Sequence, residues 1–173
     1  MSNVITTLDA FNRMSQAEAI MAILPCNGSR AWAAGMEAAR PFHTPAELFA
    51  AADRIWEHLP PQAWQQAFDS HPRIGEKLAV HATKQSLEWS AGEQAAALPD
   101  EQVKAALAEG NREYEQRFNR IFIVCATGKT AAEMLTVLRS RLHNDPATEL
   151  NETAEQQRQI TQIRLHKWLG PVK

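Results

Sequence analysis

This 173-residue chain has no excess of basic residues: 18 Lys and Arg stand against 20 Asp and Glu, a formal charge of −2. Binding to nucleic acid or to an anionic membrane surface draws on a positive surplus, so both classes of partner are set aside. Cysteine is scarce. Cys26 and Cys125 lie far apart and form no C-x-x-C pair, so they read as reduced thiols, with a single long-range disulfide as the alternative. No apolar stretch approaches the roughly 18 residues of a membrane span. Residues 1–7 place no basic residue ahead of an apolar core, and the final Pro171-Val172-Lys173 is not a peroxisomal tripeptide. A soluble, cytoplasmic protein is the expectation. Metal and phosphate motifs are missing as well. The histidines at 43, 58, 71, 81, 143 and 166 form no H-E-x-x-H, and none neighbours a cysteine. Gly128-Lys129-Thr130 resembles the end of a P-loop, but Ile123 stands where the first glycine belongs. No metal or cofactor is expected.

What the chain does have is helix punctuation. Ser15 to Glu18 has capping-box form, in which a hydroxyl and a carboxylate three residues on satisfy each other's free N–H groups. Ser29 can cap a segment carrying Trp32, Met36 and Ala39. Thr44-Pro45-Ala46-Glu47 combines a cap, a first-turn proline and a third-position Glu ahead of the stripe Leu48, Ala52, Ile55 and Leu59. Another segment starts at Pro61. From Asp69 the pattern breaks into an irregular loop, Ser70-His71-Pro72-Arg73-Ile74-Gly75, expected to run to Glu88. Ser90-Ala91-Gly92-Glu93 reads as a further capping box that opens a helix, with Gln94 in its first turn. Helices follow over 100–118 and from Thr130 to Leu142, and a last one of about twenty residues ends at Gly170-Pro171. Ile121 to Ala126 is the one strand-like run. The prediction is a single all-α domain over residues 1–173, of about eight helices, with an irregular His-Pro loop and no substantial sheet.

Three residues admit a functional reading beside a structural one. His71 can exchange a proton near neutral pH, and the following proline stiffens its backbone; the plainer alternative is a loop histidine bonded to a carbonyl. Glu93 suits a cap, but at a helix N-terminus it would also join Ser90 and Gln94 around a small anion-favouring pocket. Arg164 falls inside the apolar stripe of the last helix, between Ile160 and the line of Leu150, Ala154 and Trp168. A guanidinium there needs an acidic partner or a bound anion, unless it snorkels to water.

The order of motifs resembles the 2-oxo-4-hydroxy-4-carboxy-5-ureidoimidazoline (OHCU) decarboxylases of urate degradation. Trp32 through Arg40-Pro41-Phe42 and Phe68 through Gly75 carry it first, then Ser90 through Gln94. Asn111 through Tyr114, Phe118, Phe122 through Ala126, Arg141 through Asn144, and Ile163 through His166 complete it. The resemblance implies an all-helical homodimer that works without metal or organic cofactor. It places the catalytic pair on His71 and Glu93. It places the substrate pocket on Pro72, on Ser90, Ala91, Gly92, Glu93 and Gln94, and on the backbone of Phe122, Ile123, Val124, Cys125 and Ala126, with Arg164 as the substrate-binding arginine. The implied reaction converts OHCU to (S)-allantoin, with His71 as proton donor and Glu93 as its partner. Two departures stand out: Asn119-Arg120 follows Phe118 where relatives carry glycine, and Arg73-Ile74 replaces an acidic residue and leucine. Two alternatives remain open, a non-catalytic helical interaction module and a cofactor-free lyase or hydrolase for another ureido or imidazole acid.

Overall fold

A computed structural model of the chain describes residues 6–74, 83–94 and 100–171. Among these residues it contains nine α-helices, one short 3-10 turn and no strand. Two compact units result. The first comprises residues up to Ala67 and those from Arg158 onward, and the second is Phe68–Gln157.

The first unit contains α1 (Thr7–Arg13), α2 (Gln16–Ile23), the 3-10 turn Leu24–Cys26, α3 (Arg30–Ala38), α4 (Pro45–Glu57) and most of α5 (Pro61–Phe68). Thr6 and Asp9 form a capping box that starts α1, and Ser15 and Glu18 form the expected one at α2. At α4 the Thr44 hydroxyl accepts from the Glu47 N–H, whereas the Glu47 carboxylate turns outward to accept from His43 N–H at 2.7 Å. Apolar side chains at helical spacing, Phe11, Ile23, Trp32, Met36 and Leu48 among them, are wholly buried in this unit. The Trp32 indole N–H donates to the Ala52 carbonyl, which satisfies the one polar atom of that side chain.

The second unit is built on α6 (Lys84–Gln94), α7 (Glu101–Phe118), α8 (Ala131–Arg141) and the first half of α9 (Pro146–Leu169), which continues into the first unit. Leu107, Tyr114, Phe118, Phe122, Met134 and Leu138 form its apolar core. Gly110 lets α7 and α8 approach closely, because a Cβ there would lie 2.7 Å from Leu138 Cδ2. α7 ends at Asn119, whose φ of 53° is left-handed. Glycine is the usual residue in that conformation and asparagine the next most tolerated, so the first departure from the family pattern keeps the turn.

Three expectations are corrected. The irregular loop does not run to Glu88: α6 begins at Lys84, where the Thr83 hydroxyl accepts from the Ser86 N–H at 3.1 Å and the Thr83 carbonyl from Leu87 N–H. Residues 75–82 of that expected loop lie outside the described residues. Ser90 therefore opens no helix. Ser90 through Gln94 are the last described residues of α6, well past its start, so no helix N-terminus supplies a positive dipole end there. Finally, Ile121–Ala126 is irregular backbone rather than a strand; its apolar composition reflects burial.

Candidate active site

The second unit holds His71, Pro72, Ser90, Ala91, Gly92, Glu93 and the whole Phe122–Ala126 stretch; Arg164 belongs to the first. His71 follows the end of α5. Its backbone N–H donates to the Phe68 carbonyl at 3.1 Å, Pro72 behind it is buried, and the ring is half-buried. Ring Nε2 lies 2.6 Å from Oε1 of Gln157, a fully buried amide on α9. Next in the chain, the Arg73 guanidinium grips the Glu115 carboxylate with two bonds, at 2.5 and 2.9 Å, and Ile74 packs against the unit's core. The second departure from the family pattern thus brings its own partners.

On α6, Ser90 is buried, Glu93 is half-buried, and Ala91 and Gly92 are exposed. Gln94 is the last described residue of the helix, and its side chain lies outside the described residues.

Residues 122–126 are all buried. Arg141 Nη1 donates to the Ile123 carbonyl at 2.6 Å, Lys129 Nζ donates to the Cys125 carbonyl at 2.8 Å, and the Cys125 N–H donates to Gln156 Oε1 at 2.8 Å. Among the described residues the backbone groups of Phe122 and Val124 make no hydrogen bond. Buried peptide groups are nearly always paired, with protein, water or a ligand.

Behind the stretch lies a polar cluster that sequence reading did not place. Arg141 donates through Nε and Nη2 to Glu149 Oε1 at 2.9 and 2.5 Å and reaches the Thr153 hydroxyl at 3.1 Å. The Tyr114 hydroxyl donates to the same carboxylate oxygen. Burial pushes the Tyr114 phenol up to about 12, and its bond to Glu149 adds to the rise. Burial alone would raise Glu149 too, but the bonds from Arg141 and Tyr114 outweigh it and hold the carboxyl below its ordinary range.

In the first unit Arg164 is almost wholly buried, as its place in the apolar stripe required, and Nη1 donates to the Pro25 carbonyl at 3.4 Å. Cys26 and Cys125 are both buried free thiols. Burial pushes the Cys26 thiol far up, against a smaller opposing pull from the Arg164 charge. Among the described residues no group of three His, Cys, Asp or Glu could hold a metal ion, and no helix is long and apolar enough to cross a membrane.

A family model described as OHCU decarboxylase matches residues 12–166. The chain is 34% identical over 144 residues to the uric acid degradation bifunctional protein TTL of Arabidopsis thaliana, a match covering 82% of this chain but 44% of that protein. It is 31% identical over 137 residues to a 2-oxo-4-hydroxy-4-carboxy-5-ureidoimidazoline decarboxylase of Amia calva, covering 77% of each. A crystal structure of OHCU decarboxylase in the presence of (S)-allantoin aligns with a TM-score of 0.75 at 33% identity, over 86% of this chain and 96% of that one. A crystal structure of (S)-allantoin synthase, 17% identical, shares the fold with a TM-score of 0.67 over 93% of this chain and 53% of the other.

Proposed function

The chain belongs to the OHCU decarboxylase family, and from that premise we propose that it decarboxylates OHCU to (S)-allantoin. The observation that carries the reading is the buried Phe122–Ala126 backbone, part of whose peptide groups make no bond among the described residues, in the same unit as an imidazole held by an amide. Such backbone suits a substrate rich in amide and ureido groups.

Loss of CO2 leaves an electron pair that flows toward the adjacent C=N bond of the substrate, so the chemistry needs no organic electron sink. His71 acts as general acid toward that pair. Glu93 orients the imidazole or accepts the proton of the substrate hydroxyl. Ser90, Gln94 and the 122–126 backbone hold one ring face, with Pro72, Ala91 and Gly92 shaping the surroundings, so that protonation yields one enantiomer. Arg164 holds a polar or anionic part of the substrate. Placement of reacting groups can supply up to about 7–11 kcal/mol of barrier reduction in favourable cases. The family match spans most of residues 1–173 and supports reading them as one OHCU decarboxylase-like domain. A homodimer in the cytoplasm completes the proposal.

The substrate also decays spontaneously to racemic allantoin, so product formation alone is a poor test. Substrate generated freshly from urate should give optically active product faster than the spontaneous reaction. Racemic product at the spontaneous rate would contradict the assignment.

A further inference from the structure

Gln157 is a buried primary amide, and burying one costs free energy unless its polar atoms are bonded. Its Oε1 lies 2.6 Å from His71 Nε2, across 86 residues of sequence. A carbonyl oxygen can only accept, so the ring nitrogen facing it carries hydrogen. A neutral imidazole has one ring hydrogen, which leaves Nδ1 as the nitrogen where a proton comes and goes. The preceding residue, Gln156, has its own amide fixed: Nε2 donates to Glu152 at 2.9 Å and Oε1 accepts the Cys125 N–H. Consecutive residues of α9 thus hold the imidazole and the 122–126 backbone.

We propose that Gln157 is a positioning residue: it keeps His71 protonated on Nε2 in both charge states, so the proton given to the substrate is the one on Nδ1. This rests on the reading of His71 as general acid. Cleavage of the C–CO2 bond leaves its electron pair in the neighbouring C=N system, and the Nδ1 proton of the imidazolium is delivered to that pair. The ring left behind is the Nε2–H tautomer already bonded to Gln157, so no rearrangement separates turnovers, and Nδ1 regains its proton from water. A neutral amide suits the task because it orients the ring without fixing its charge, which leaves Glu93 the other role proposed for it, accepting the proton of the substrate hydroxyl.

The test combines ring 15N spectra of the full-length protein, labelled at histidine, with turnover; the His71 signals are those lost in His71→Ala. Neutral His71 should show hydrogen on Nε2. Gln157→Leu should scatter the tautomers and lower kcat by about 10–100-fold, the range found when a group that orients a metal-ligating histidine is lost, with KM nearly unchanged. Gln157→Glu keeps an acceptor oxygen and should restore the tautomer but only part of the turnover, because its charge favours the imidazolium and resists discharge of the Nδ1 proton. If the Leu variant does not fold, the wild-type spectrum and the Glu variant decide. Hydrogen on Nδ1 in the wild type overturns the proposal, as does Gln157→Leu with tautomer and kcat unchanged. Full turnover in His71→Ala overturns it through its premise, whereas loss of turnover there with an Nδ1–H ring overturns it alone.

Discussion

Two parts of the second unit's candidate site are held by different chemistry. The 122–126 backbone is gripped by cations: Arg141 on the Ile123 carbonyl and Lys129 on the Cys125 carbonyl, with Gln156 on the Cys125 N–H. His71 is held by a neutral amide. Charge-assisted bonds are the stronger kind and suit groups whose charge never changes. An imidazole that must gain and lose a proton is better oriented by a neutral group, because a fixed carboxylate would favour the imidazolium and resist its discharge. Rigid backbone together with an oriented, titratable ring is what the proposed stereoselective protonation would require.

The largest effect is expected at the ring. His71→Ala should lower stereoselective turnover by about 10²–10⁴-fold, the usual worth of a general acid, with the far-UV helical signal intact. Retained turnover would show that the neutral side of the comparison does no chemistry.

On the charged side the first loss should be stability. Glu149→Ala strands the buried Arg141 charge, and breaking such a pair costs about 3–5 kcal/mol, measurable by urea unfolding. The pH dependence follows from the lowered Glu149 carboxyl. A depressed folded-state value means the pair's stabilisation is complete above the ordinary value of 4.5 and drains away as pH falls through the lowered one. Wild-type stability should therefore drop on acidification below that point more steeply than that of Glu149→Gln. Equal slopes would mean that the cluster does not hold its charge.

A smaller change sharpens the contrast. Asn119→Ala forces a Cβ-bearing residue with no local side-chain bond into the left-handed region and should cost about 1–2 kcal/mol, while Asn119→Gly should be nearly neutral. The smallest effect belongs to Arg73→Ala, which removes a partly exposed ion pair beside His71 worth about 1 kcal/mol or less. A large loss of stability there would mean that the imidazole side, too, depends on charge.

Where local chemistry decides the structure, the chain can be read directly. Ser15 with Glu18 and Thr130 with Glu133 cap α2 and α8 as their spacing says. Thr6 escaped because its partner is Asp9 rather than a longer Glu. Ser90 misled for the opposite reason: Ser90 to Glu93 has the full pattern, yet α6 starts from Thr83, which has no third-position carboxylate and caps with its hydroxyl alone. The apolar run at 121–126 resembles a strand because burial, not pairing, selects its residues. Arg164 was visible as a charge in an apolar stripe. Gln157 was not, since a glutamine on a polar helix breaks no pattern and acquires meaning only from an imidazole distant in sequence.

The measurement that tests the site most directly is an NMR titration of the full chain with (S)-allantoin. Binding at the proposed place should move the backbone amides of residues 122–126 and the His71 ring signals together, along one saturable curve. Shifts confined to other parts of the chain, with these groups unmoved at saturation, would contradict the account.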